Sequence, residues 1–183
     1  MPVIFVAGVH GVGKSTLCAA VSLVTSVPSF TASELIRAKQ STLIQTGTKD
    51  VIDVANNQSI LIDAVQEKTS DFEHIVVDGH VTLFSNNTIV NISSSVFYSI
   101  NVKLIILILE SPNTIYSRLE KRDGNAYPVD LLRTHQTFEL KHAREIASNL
   151  CIPFIAVHSD ASEVIANLIV NLKNNETWRI KNG

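Results

Sequence analysis

The sequence predicts an α/β fold, a five-stranded parallel sheet covered on both faces by helices, and three observations carry that expectation. Short apolar runs rich in β-branched residues recur at Val3–Ala7, Ile75–Asp78, Lys103–Leu109 and Ile152–Val157, and they read as strands buried on both faces. Between them lie longer stretches with helical spacing and recognisable start signals. The first run passes directly through a glycine-rich turn into helical sequence, the βα unit from which parallel sheets are built.

The elements follow in order. After Val3–Ala7 comes the turn Gly8–Gly13, and then Ser15 to Val24, a helical stretch without a breaker. Thr31-Ala32-Ser33-Glu34 is a capping box, so a helix is expected from there to about Leu43. Asp50 can cap the next helix, in which Val51, Val54, Ala55, Leu61, Ile62 and Val65 recur on one face as far as about Lys68. Strand Ile75–Asp78 is followed by Val81 to Ile100, polar, rich in Asn and Ser, and expected to be a long irregular loop with a short helix near Val96-Phe97-Tyr98. Beyond strand Lys103–Leu109, Ser111-Pro112 supplies an N-cap and a first-turn proline for a helix to about Lys121. Gly124 to Pro128 interrupts the chain before a long helix, Val129 to Leu150. A last strand, Ile152–Val157, and a helix opened by Asp160-x-x-Glu163 and running to about Leu172 complete the pattern.

At 183 residues, this length suits a single domain with a core of its own, over residues 1–183. The net charge of −2, with Lys and Arg dispersed, leaves no basic footprint for nucleic acid or an anionic membrane. Cys18 and Cys151 stand far apart, so neither a disulfide framework nor a zinc site is expected, and the cytoplasm is the expected compartment. The longest apolar run, Leu104–Leu109, is too short to span a bilayer. The four Asn-x-Ser/Thr sequons, from Asn57, Asn86, Asn91 and Asn175, follow from an Asn- and Ser-rich composition.

The turn carries the chemistry. Gly8-Val9-His10-Gly11-Val12-Gly13-Lys14-Ser15-Thr16 is a Walker A sequence in the strand–loop–helix context that such a loop requires. Its glycines let amides curl toward an anion at the positive end of a helix dipole. Lys14 is expected to reach the β/γ-phosphates of ATP, and Ser15 to sit on Mg²⁺. Gly8, Gly11, Val12, Gly13, Lys14, Ser15 and Thr16 are therefore the candidate nucleotide-binding residues. In parallel sheets ligands bind beyond the carboxyl ends of the strands. Asp78, at such an end before Gly79-His80, is a candidate Mg²⁺ ligand, or else a cap for the following loop. Glu110, at another, reads as a helix N-terminal charge in preference to an acid behind the site.

Gly8–Thr16, Val77-Asp78-Gly79-His80 and Tyr116-Ser117-Arg118-Leu119-Glu120-Lys121-Arg122, followed by a short break and a long helix, together resemble the P-loop nucleoside monophosphate kinases. Within that group the chain is most similar to archaeal-type adenylate kinases and the nuclear adenylate kinase-like ATPases. The resemblance implies a P-loop NTPase three-layer sandwich, a lid at about 122–128, a monophosphate-binding region at about 31–69, and ATP-dependent transfer to a nucleoside monophosphate. It implies that Arg118 and Arg122, four apart on one helix face, close on the phosphates; the alternative for Arg118 is a surface pair with Glu110. Arg37 would grip the acceptor phosphate, or face solvent. Gln58, on the apolar stripe of its helix, would meet a base or ribose, or a backbone carbonyl. His80 would orient water or an acceptor oxygen, or bridge two loops; His10 would tune the loop. His135 and His142 are expected in or near the core. Asp78-Gly79 continues as His80-Val81-Thr82, without the arginine that follows in ordinary bacterial adenylate kinases. Two other functions fit the same loop: an ATPase switch that contacts a macromolecule through 81–100 and the Trp178 tail, and a kinase of another small hydroxyl acceptor.

Overall fold

The computed structural model describes residues 2–45, 54–85, 88–124 and 127–174. Its centre is a five-stranded, all-parallel sheet in the order β2-β3-β1-β6-β7, formed by β1 (Val3–Ala7), β2 (Ser29–Thr31), β3 (Ile75–Asp78), β6 (Val102–Leu109) and β7 (Phe154–His158). The helices are α1 (Lys14–Thr25), α2 (Ala32–Gln45), α3 (Val54–Asp71), α4 (Ser94–Ser99), α5 (Pro112–Asp123), α6 (Val129–Asn149) and α7 (Ser162–Asn174). Alternation along β1 divides the core in two. Val3, Phe5 and Ala7 face α2, α3, α4 and α6, whereas Ile4 and Val6 face α1, α5 and α7.

The fifth strand is one that the sequence hides. β2 is three half-buried residues paired to β3 through Ser29↔Val76, Phe30↔Val77 and Thr31↔Asp78. Too short and too polar at its ends to show a period of its own, it is held in place by its neighbours. Thr31 ends this strand and also caps α2, its hydroxyl accepting from Glu34 N at 3.2 Å while donating to Glu34 Oε2 at 2.7 Å. Ser111 caps α5 as expected, accepting from Thr114 N at 3.1 Å, with Pro112 opening the helix. Asp50, Val51 and the Trp178 tail lie outside the described residues.

The segment expected as an irregular loop over 81–100 holds a hairpin that the sequence did not announce, while the short helix expected near Val96-Phe97-Tyr98 is α4. β4 (Thr82–Ser85) pairs antiparallel with β5 (Thr88–Asn91), and Ser93 caps α4. Val81, Ile92, Val96, Phe97 and Ile100 are buried against the sheet, and the Phe97 ring meets Phe5 edge-on at 5.0 Å. The segment is polar in composition because its outer face is wet, while its sparse apolar residues fall where the sheet needs cover. Phe97→Ala should therefore cost about 3–5 kcal/mol of unfolding free energy, measured by urea denaturation. A loop lying on the surface would lose almost nothing.

Candidate active site at the phosphate loop

The loop between β1 and α1 adopts the curled path that its glycines allow. Gly11 has φ 77°, and a Cβ there would stand 2.8 Å from Leu119 Cγ, so conformation and space both require glycine. Lys14 and Asp78 are 8% and 6% exposed. Lys14 Nζ donates to the carbonyls of Gly8 (2.8 Å) and Val9 (3.2 Å) and stands 3.9 Å from Asp78 Oδ1. Ser15 Oγ donates to Asp78 Oδ2 at 2.7 Å. Burial pushes the Lys14 ammonium down and the Asp78 carboxyl up, each toward its neutral form, although each pulls the other back. A polyphosphate beside Lys14 and a divalent cation beside Asp78 would supply the charge that both lack. A hydroxyl and one carboxylate are the hard oxygen donors that Mg²⁺ takes from protein when phosphates complete its shell, so this pair fits that ion.

A polar cavity of about 230 Å³ opens over the loop, lined by His10, Gly11, Gly13, Lys14, Ser15, Thr16, Arg118 and Arg122. Both arginines of α5 therefore stand where the expected phosphates would lie. Arg118 is also engaged, its Nη1 donating to Val12 O at 2.8 Å and its Nη2 to Glu110 Oε2 at 3.1 Å. Arg122 is exposed and paired with Asp123. Val12 and Gly8 lie outside this lining: Val12 is in the core and donates its amide to Val9 O at 3.4 Å, while the Gly8 amide turns to Glu139 Oε1 at 3.2 Å.

Beneath α2 and α3 a second cavity, of about 370 Å³, reaches the same loop. Its floor is apolar, with Phe5, Ile36, Leu61, Leu83, Val96 and Phe97, and its polar rim includes Thr31, Ser33, Asn57, Gln58, Asp78 and His80. Gln58 and His80 are thus in the wall. Arg37 is not among the lining residues; it is exposed on α2 with Nε turned to the Ser33 carbonyl at 3.2 Å. His80 lies against His10 with ring centroids 4.2 Å apart and planes tilted by 49°, and burial together with the Lys14 charge keeps it neutral.

Two buried acids matter more than the sequence suggests. Glu110 is a junction behind the loop: beyond Arg118 it accepts from Ser159 Oγ (2.7 Å), Ser111 N (2.7 Å) and His158 Nε2 (2.9 Å), while Gln136 bonds both its backbone groups. Burial works to raise its carboxyl, but the Ser159 and Ser111 donors and the His158 and Arg118 charges outweigh it and hold the group below its usual range. Glu139, from the middle of α6, is wholly buried and was not singled out by sequence; it accepts from Gly8 N, Val81 N, Thr82 N and the Thr82 hydroxyl. Its signal was an acid on the inward stripe of α6, where His142 is the other polar residue among Leu132, Ala143, Ile146 and Ala147. His135, bonded to Thr82 Oγ1 at 3.1 Å, and His142, bonded to Ile92 O at 2.8 Å, belong to the same seam and fasten the hairpin to α6.

Because the Glu110 carboxylate is favoured by folding, its stabilisation is complete above pH 4.5 and is lost as pH falls through its depressed native value. Glu110→Gln should lower stability by about 1–2 kcal/mol at pH 6, discounted for the exposure of Arg118 and His158. Thermal melts should show the gap to wild type closing as the pH is taken below 4.5.

Comparison with known proteins agrees with this architecture. The fold is shared with a gluconokinase from Sinorhizobium meliloti (20% identity, 98% of this chain and 97% of that one, TM-score 0.56). It is shared also with a shikimate kinase from Acinetobacter baumannii solved with shikimate (14% identity, 95% and 93%, TM-score 0.59). A third likeness is to the YorR protein of Bacillus subtilis, solved with phosphorylated GDP (17% identity, 96% and 97%, TM-score 0.58). A search of the curated proteins finds no match. The sequence profile of the AAA domain family matches residues 7–136, which takes in the phosphate loop, β3 with Asp78, the hairpin, α5 and the first part of α6, and the chain belongs to that family.

Proposed function

We propose that this protein transfers the γ-phosphoryl group of Mg·ATP to a hydroxyl of a small molecule seated in the apolar cavity. One observation carries the reading: the polar and the apolar cavity share His10, Lys14 and Ser15, so a donor in one and an acceptor in the other would meet at the Lys14 ammonium. Phosphoryl transfer asks of a protein mainly alignment and charge neutralisation. The loop amides and the positive end of α1 would hold the phosphates, and Lys14 would exchange the Gly8 and Val9 carbonyls for phosphate oxygen. Ser15 and Asp78 would hold Mg²⁺, which when bound neutralises charge on the phosphate oxygens. Arg118 and Arg122 would close from the 122–128 side as a lid, excluding the water that would otherwise take the phosphoryl group. The segment 31–69 would form the acceptor wall. Likeness in fold to a gluconokinase and a shikimate kinase supports an acceptor of that size with a free hydroxyl.

The narrower reading, a nucleoside monophosphate acceptor, is favoured by Asn57 and Gln58 in the wall, whose amides suit the edge of a base. It requires Arg37 to leave the Ser33 carbonyl and swing toward an acceptor phosphate, since Lys14 is the one lysine or arginine among the described lining residues. ADP release from Mg·ATP, measured with polyhydroxy acids, nucleosides and nucleoside monophosphates in turn, separates the two. Acceleration by a hydroxyl compound without phosphate supports the first reading, and acceleration by monophosphates alone supports the second. A slow rate indifferent to every compound overturns both in favour of an ATPase. Lys14→Ala should lower turnover by about 100-fold or more. Its circular dichroism should match wild type, whereas undiminished turnover would place the site elsewhere.

A further inference from the structure

Glu139 has no place in the chemistry just described, yet it is wholly buried beside the site and accepts four hydrogen bonds. A carboxylate under a loop built for polyphosphate opposes the binding of anions unless it does something else there. What it does is visible in its partners. Oε1 accepts from Gly8 N, 131 positions away in the chain, and from Val81 N at 2.9 Å; Oε2 accepts from Thr82 N at 2.9 Å and from the Thr82 hydroxyl. Gly8 is the first residue of the phosphate loop, and its carbonyl holds Lys14. Val81 and Thr82 lead from Asp78-Gly79-His80 into the β4–β5 hairpin, whose Leu83 joins the wall of the apolar cavity. Within β1 and β3 the sheet bonds fix both strands, but Gly8, Val81 and Thr82 lie past the last β1–β3 pair, Val6↔Asp78, and the ladder that Thr82 joins is that of the hairpin, with Asn91.

Resting on the reading of the loop as a nucleotide site, we infer that Glu139 is a positioning residue, a carboxylate tie that makes the phosphate loop and the acceptor-side hairpin move as one body. Occupancy of the loop by nucleotide therefore stiffens the 80–85 segment, which lies on the acceptor side of the loop. A glutamate is needed for this. Both oxygens accept from backbone N–H groups, so an amide would put an N–H against an N–H at whichever position its nitrogen took. A buried donor left so unpaired costs the strain that a tie cannot bear.

Hydrogen exchange on the full chain, with and without saturating Mg·ADP, tests it. In wild type, Mg·ADP should slow exchange in residues 8–16 and, several-fold, in residues 80–85. In Glu139→Gln the protection at 8–16 should remain and that at 80–85 should be lost. Thr82→Ala, which removes one of the four donors and keeps the acid, should fall between the two and serves should Glu139→Gln fail to fold. Lys141→Ala, on the outer face of α6, should behave as wild type. Protection at 80–85 that is absent in wild type, or unchanged in both site variants, overturns the inference while leaving the nucleotide site standing. Absence of protection at 8–16 in wild type overturns the nucleotide reading and this inference with it.

Discussion

The site depends on one electrostatic compromise: an ammonium and a carboxylate, Lys14 at the start of α1 and Asp78 at the carboxyl end of β3, buried 3.9 Å apart. Taking two charges out of water is costly, and a pair at that separation recovers only part of the loss. The remainder is met by surrounding groups, two loop carbonyls on Lys14 and the Ser15 hydroxyl on Asp78. The sheet order serves the same pair, since β3 lies beside β1 and so sets Asp78 next to the loop. On the proposed function, an incoming phosphate and a divalent cation would each meet its opposite charge there.

Around that pair the protein places two supports of different kinds. Glu110, behind the loop, gathers Arg118 of α5, His158 at the end of β7 and Ser159 after it, so that the arginine bonded to the loop at Val12 O is held in place. The alternative weighed for Arg118, a pair with Glu110, is thus present together with a place in the phosphate cavity. Glu139, on the other side, reaches the loop and the hairpin from a helix that itself packs on the sheet. Both acids use backbone amides as partners, which fixes main chain more firmly than a side-chain pair would.

How legible this was in the sequence varied with the range of the interactions involved. The phosphate loop, the caps at Thr31 and Ser111, and the central strands are local: a few adjacent residues specify each, and they fold as read. β2 was hidden because three residues show no period, and the 81–100 hairpin because the sequence from Thr82 to Asn91 holds no glycine to mark a tight turn. At the site, sequence grouped Lys14, Ser15, Asp78, Arg118 and Arg122 about the loop through motif and strand-end logic, and the structure brings them together there. It could not see that Gly8 turns its amide toward an acid 131 positions later, nor that Arg37 faces its own helix, because those are outcomes of tertiary packing.

The central claim is that the curled loop and Lys14 clasp a triphosphate. Titration calorimetry of the wild-type protein with a non-hydrolysable Mg·ATP analogue tests it most directly. The account predicts a saturable heat with one site per chain, abolished when competing Mg·ADP fills the loop first. No heat from any purine triphosphate in the presence of magnesium would contradict it.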